Sequence, residues 1–154
     1  LNLMKKAGCK FINMGIESGS ERIRRRIKKM GELSDIRQRI QIVKRAGIGV
    51  RAFFMIGFYG ETKDDIKNTV NFAFSIPADS LQFEIACPHP GTELLHSLKT
   101  KYKVDRIDWE NFNVYKSPFP LSEIGSAELF RILKTIKRKY MFLSLKKKIS
   151  ALLK

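Results

Sequence analysis

The sequence predicts an α/β fold: the C-terminal part of a larger parallel barrel, followed by a helical extension. Three observations carry that expectation. A helix, glycine, strand unit is repeated, each apolar run ends in a glycine-rich loop, and amphipathic stretches separate the runs.

The repeat is direct. Lys5-Lys6-Ala7-Gly8 followed by Phe11 recurs as Lys44-Arg45-Ala46-Gly47 followed by Val50. In each copy the glycine stands where a left-handed cap closes a helix, because a residue without Cβ takes positive φ at little cost. Phe11 to Met14 and Val50 to Ile56 then have the length and β-branched content of strands buried on both faces. Ser80 to Ala86 suggests a third strand. The loops that follow are Gly15-Ile16-Glu17-Ser18-Gly19-Ser20, Gly57-Phe58-Tyr59-Gly60-Glu61-Thr62 and Cys87-Pro88-His89-Pro90-Gly91-Thr92.

Between the runs, Ile36, Ile40 and Val43 fall at helical spacing, as do Ile66, Val70 and Ala73. Thr62 with Asp65 three residues on reads as a capped helix start. Units of about forty residues argue for parallel βα crossovers and not for hairpins. Right-handed crossovers put all three loops at the C-terminal edge of the sheet, where α/β folds bind ligands. Three units cannot close an eight-stranded barrel, and the helix-like opening at Leu1 lacks a capping residue, so the chain is expected to be cut from a longer one.

From Asp105 the pattern becomes irregular and aromatic, with Trp109, Phe112, Tyr115 and Phe119 interleaved with Pro118 and Pro120, and helical periodicity resumes near Ser122. The expected division is 1–103 as barrel fragment and 104–154 as C-terminal extension.

With 154 residues, 44% hydrophobic and 29% charged, the chain has a globular composition and length enough for a core without disulfides. Cys9 and Cys87 are its two cysteines and have no metal-site spacing; a reducing, cytoplasmic setting is expected. The formal net charge of +15 is concentrated in two places, Arg22 to Lys29 and the tail after Glu128, which contains no acid. Such charge is compatible with nucleic acid, an anionic membrane surface or an acidic substrate.

Each candidate site has a structural alternative. Glu17, after the first strand, would present its carboxylate to ligand hydroxyls or an ammonium, or would cap the next helix. The Gly57 to Thr62 loop lets backbone approach a ligand, yet a plain strand-to-helix turn needs the same residues; Glu61 is expected to fix that loop. His89, between two prolines, has no partner visible in the sequence and reads as an exposed loop histidine. The tail from Arg131 is basic and amphipathic: it either docks on its own domain or rests on anionic headgroups.

Taken together, Ala7-Gly8-Cys9, Gly15 to Ser20, Met55 to Thr62 and Pro88 to Thr92 resemble the radical S-adenosylmethionine enzymes in order and spacing, above all the branch with a cobalamin-binding domain that includes the anaerobic magnesium-protoporphyrin monomethyl ester cyclases. The resemblance covers residues 1 to about 103 and implies the C-terminal half, strands four to six, of a partial (β/α)6 TIM-like barrel. It also implies S-adenosylmethionine and a [4Fe-4S] cluster as cofactors, cobalamin in the parent protein, and radical chemistry on a small molecule such as a tetrapyrrole, lipid or secondary metabolite. By resemblance the cofactor-binding positions are Glu17 and Ser18 near the ribose or amino-acid part, Ile56 and Gly57 near adenine, and Pro88 bordering adenine and substrate.

Two departures stand out. Tyr59 replaces the family's proline, and the Cys-x3-Cys-x2-Cys cluster motif is missing. No catalytic residue and no metal ligand is assigned to this chain, which is expected to be inactive alone, with the cluster ligands upstream. The implied partners are the missing N-terminal half, a flavodoxin or ferredoxin electron donor and, through the basic tail, a membrane surface; nucleic acid is not expected. The competing readings are an RNA-modifying methylthiotransferase and a non-enzymatic basic module that binds RNA or a membrane surface.

Overall fold

The computed structural model describes residues 1–110 and 122–152, excluding the side chains of 146–148 and 150–152. Phe112, Tyr115, Pro118, Phe119 and Pro120 lie outside the described residues. In order the elements are α1 (Asn2–Lys6), β1 (Phe11–Glu17), α2 (Glu21–Arg26), α3 (Leu33–Arg45), β2 (Gly49–Ile56), α4 (Lys63–Ser75), β3 (Ser80–Ile85), α5 (Glu93–Tyr102) and α6 (Ser126–Leu152). The strands form a parallel sheet of order β1-β2-β3. Gly8 and Gly47, at φ +90° and +74°, end the helices that lead into β1 and β2.

Side chains alternate across the sheet, and one face makes the core. Val50, Ala52, Phe54 and Ile56 of β2 and Phe83 and Ile85 of β3 are buried there, with Ile36, Ile40 and Val43 of α3 and Ile66 and Ala73 of α4 in the same cluster. Phe54 and Phe83 stack at 5.3 Å between ring centroids. The opposite face carries Asn13, Gly15 and Glu17 of β1, Arg51, Phe53 and Met55 of β2, and Gln82 and Glu84 of β3, none of them fully buried. Burial on both faces is therefore corrected. Polar residues share the second register with Phe53 and Met55, and among the described residues no layer packs across its whole width.

The two sheet edges differ. Along β3, α6 contributes Leu129, Leu133 and Ile136 to the core; Tyr140 Oη accepts a hydrogen bond from Leu81 N at 3.2 Å, and Lys137 Nζ lies 3.4 Å from Glu84 Oε1. That helix blunts the outer edge of β3. Among the described residues, β1 pairs only with β2.

Candidate functional site at the strand ends

Because the strands are parallel, the loops after β1, β2 and β3 all leave from one edge of the sheet. α2 crosses that edge, packing Ile23 against Phe58 and Ala86.

Glu17 is the unusual residue of this edge. The β1–β2 register breaks between Gly15 and Glu17, and Glu17 adopts φ +69°, a left-handed conformation that costs a non-glycine residue about 1 kcal/mol or more. Gly15 makes it fit, since a Cβ there would overlap Glu17 Oε1. The carboxylate lies 3.3 Å from Lys29 Nζ and is part-exposed. It does not cap α2; that role falls to Ser20, whose Oγ accepts from Ile23 N at 3.5 Å. Behind the bulge, buried Arg24 donates to Ile16 O at 2.6 Å, Gly31 O at 2.7 Å and Met30 O at 3.2 Å, tying the end of β1 to the turn before α3. A cavity of about 210 Å³ lies beside this tie, lined among others by Gly15, Arg24 and Lys29. Small-molecule sites usually enclose about 300 Å³ or more, so this cavity does not by itself enclose a nucleoside cofactor.

Ser18 points the other way. Fully buried, its Oγ pairs with Thr69 Oγ1 at 2.9 Å and accepts from Ser20 N at 3.1 Å. Gly19 lets this loop close onto α4: an added Cβ would come within 2.7 Å of Thr69 Cα and 2.8 Å of Asn68 O. Asp65 organises the next layer, accepting from Ser20 Oγ at 2.6 Å, Thr62 Oγ1 at 2.7 Å and Thr62 N at 3.0 Å, and pairing with Arg22. Burial pushes its carboxyl up, but the hydrogen bonds from Arg22, Ser20 and Thr62 outweigh that and hold it well below the usual carboxylate range.

In the second loop, Glu61 is fully buried and its Oε2 accepts from Gly57 N and, at 3.1 Å, from Phe58 N, while Oε1 has no hydrogen-bond partner among the described residues. Burial raises its carboxyl to about 7 against the pull of those two backbone donors. Glu61 thus closes the loop from inside. The side chain of Ile56 is buried in the core and its carbonyl accepts from Ala86 N at 2.8 Å, while Gly57, at φ +84°, faces Leu129. Tyr59, in the proline position, is held between the Arg26 guanidinium and the Lys101 ammonium, 4.8 and 4.7 Å from its ring centroid. Its hydroxyl pairs with Lys101, which lowers the phenol's pKa.

In the third loop Pro88 is buried, and His89 O accepts from Thr92 N at 3.2 Å and Thr92 Oγ1 at 2.7 Å. Thr92 caps α5 through Leu95 N at 3.3 Å. The three loops leave from one edge, where Glu17 is part-exposed while Ser18, Ile56, Gly57 and Pro88 are all buried.

Sequence reading missed the polar face below this edge: Asn13, Arg51, Gln82 and Glu84. Arg51 lies over the Phe11 ring at 4.3 Å, and Gln82 Nε2 is 3.4 Å from Glu84 Oε1. A period-two polar pattern at Asn13, Gly15 and Glu17 and again at Ser80, Gln82 and Glu84 was the available signal in the first and third runs.

The family model of the radical SAM superfamily matches residues 1–73, the stretch holding β1, the Glu17 bulge, β2 and the Glu61 loop. The chain belongs to the radical SAM superfamily. It is similar to an uncharacterised methyltransferase of Pyrococcus horikoshii, 31% identical over 85% of this chain and 28% of the relative. It is also similar to the anaerobic magnesium-protoporphyrin IX monomethyl ester cyclase of Rubrivivax gelatinosus, 25% identical over 92% of this chain and 25% of the relative. A third likeness is to the tRNA-2-methylthio-N(6)-dimethylallyladenosine synthase of Thermus thermophilus, 27% identical over 64% of this chain and 22% of the relative. The chain thus spans about a quarter of the length of these curated relatives.

Radical SAM enzymes use S-adenosylmethionine and a [4Fe-4S] cluster, and the donors for the cluster do not fit here. Among the described residues no group of three or more His, Cys, Asp or Glu could hold a metal. Cys9 precedes β1 and Cys87 follows β3, at opposite ends of the parallel sheet.

Proposed function

We propose that this chain is the C-terminal part of the catalytic barrel of a radical SAM enzyme in the cobalamin-linked branch, acting on a small molecule such as a tetrapyrrole, lipid or secondary metabolite. The observation that carries this reading is Glu17, a part-exposed carboxylate kept in a strained conformation at the strand ends beside Lys29. Strain of that kind persists where a site needs a side chain aimed in one direction. Glu17 suits the ammonium and ribose hydroxyls of S-adenosylmethionine, and Lys29 suits its carboxylate. The chemistry supplied there in the superfamily is reductive cleavage to a 5′-deoxyadenosyl radical.

The remaining roles are structural or substrate-facing. The Gly57 and Pro88 loops frame the same mouth, and Asn13, Arg51, Gln82 and Glu84 form a polar wall below it for substrate. The upstream half of the barrel, carrying the cluster cysteines, continues from β1, the edge that α6 leaves open. A flavodoxin or ferredoxin delivers the electron. The similarity to a magnesium-protoporphyrin cyclase and to a methyltransferase supports the cobalamin-linked branch. One further observation favours a tRNA substrate, the likeness to a methylthiotransferase combined with the net charge of +15.

The test is anaerobic reconstitution of the full-length polypeptide with iron and sulfide, followed by assay of 5′-deoxyadenosine with a chemical reductant. Release that depends on the cluster is expected, while the present chain alone binds no cluster and releases none. A full-length protein without a cluster-binding cysteine triad would end this reading. Methylthiolation of added tRNA would select the second.

A further inference from the structure

The long helix α6 carries two apolar stripes on different faces. Leu129, Leu133, Ile136 and half-buried Tyr140 follow i, i+4, i+7, i+11 spacing and lie against the sheet and α4. Past Tyr140, Met141, Phe142, Leu145 and Ile149 are exposed at 67%, 65%, 56% and 49%. Their i, i+1, i+4, i+8 spacing gathers them on one face, turned about half a turn from the docked stripe at 3.6 residues per turn. The docked stripe continues through Leu143, itself 41% exposed, and half-buried Ser144, so past Tyr140 the helix leaves the domain. The arc is a second surface by its position on the helix, about half a turn from the docked stripe.

Charge indicates what covers it. After Glu128 the chain contains no acid, while Lys134, Arg138 and Lys139 and then Lys146 to Lys148 follow. Among the described residues no helix is long and apolar enough to cross a membrane. The arc is aliphatic, with Phe142 its one ring, and so lacks the run of stacking platforms that single-stranded nucleic acid uses. Nor does the open β1 edge offer it a seat, since α6 packs along β3 at the other edge of the sheet.

We infer that α6 from Met141 onward is an interfacial helix that seats the enzyme on an anionic lipid bilayer, with Met141, Phe142, Leu145 and Ile149 at the acyl boundary and the lysines at the phosphates. α6 runs from Leu129 beside Gly57 to Tyr140 beside Leu81, so the arc extends past the N-terminal edge of the sheet and the mouth at the other edge stays open to solvent. The arc is independent of the site proposed above, and failure of either reading leaves the other standing.

Flotation of the full-length polypeptide tests it, with vesicles of phosphatidylcholine alone or containing phosphatidylglycerol. The native protein floats with the anionic vesicles, and flotation falls at about 1 M salt, where the Debye length is about 3 Å. The double variant Phe142→Asp/Leu145→Asp, and separately Ile149→Asp, bind those vesicles at least about tenfold more weakly with an unchanged melting temperature, because all three side chains lie outside the core. Absence of flotation, equal flotation by the variants, equal binding to neutral vesicles, or retention on an RNA oligomer or an acidic peptide without vesicle binding would each overturn the inference.

Discussion

Glu61 carries a proton that the fold favours. Its carboxyl is raised to about 7 from an ordinary 4.5, so the native state binds a proton more tightly than the unfolded chain. The stability this contributes is fully present below about pH 4.5 and is lost as pH rises through about 7. Glu61→Gln keeps an oxygen for Gly57 N and Phe58 N and removes the titration. Its melting temperature should stay flat across that window where the native protein's falls, and a parallel decline in both would refute the assignment. Glu17 offers the converse case. Glu17→Gly relieves the positive φ, and the variant should unfold at an equal or higher temperature, with a gain of about 1 kcal/mol at most. How much of this was legible differs by residue. Glu61 announced itself by following Gly60 and preceding a capped helix. Arg24 did not: within Arg22 to Arg26 nothing local says which guanidinium turns inward to hold three carbonyls, because that depends on where the 30–31 turn returns.

At the scale of elements, the β1 loop and α4 fit together through glycine. Gly19→Ala would press its Cβ onto backbone atoms of Asn68 and Thr69, which cannot swing away, and should cost about 2 kcal/mol or more in denaturant unfolding. A cost below about 0.5 kcal/mol would mean that the loop is not seated as described. Asp65 fastens the same joint from the α4 side. Its depressed carboxyl contributes stability above its ordinary value near 3.8 that is lost as pH falls below it, and Asp65→Asn should remove that acid sensitivity. At the far edge, Tyr140→Phe leaves Leu81 N without its acceptor and should cost about 1 kcal/mol. The helices were legible because Ile36, Ile40 and Val43, and Ile66 and Ala73, repeat at 3.6-residue spacing and all are buried. The strand faces were not. In Gly49 to Ile56 the open face carries Phe53 and Met55 as well as Arg51, so apolar residues on both faces mask the period of two.

Across the whole molecule, one sheet has a helix-covered face, a polar open face, and two unlike edges. The lateral edge along β3 is finished by α6, whereas β1 has one strand neighbour among the described residues. The repeated units anticipated a parallel sheet with three strand-end loops on one side, and the parallel register puts them there. What the sequence could not reveal was that Ser18 and Ile56 turn into the protein, leaving Glu17 and Lys29 as the charged pair at the mouth. The central claim is that this pair holds S-adenosylmethionine. Its most direct test is equilibrium binding of S-adenosylmethionine to the reconstituted full-length polypeptide, native against Glu17→Gly, with iron content measured on both. The account predicts affinity weakened at least about tenfold, or about 1.4 kcal/mol, at unchanged iron content; equal affinity in the two proteins would contradict it.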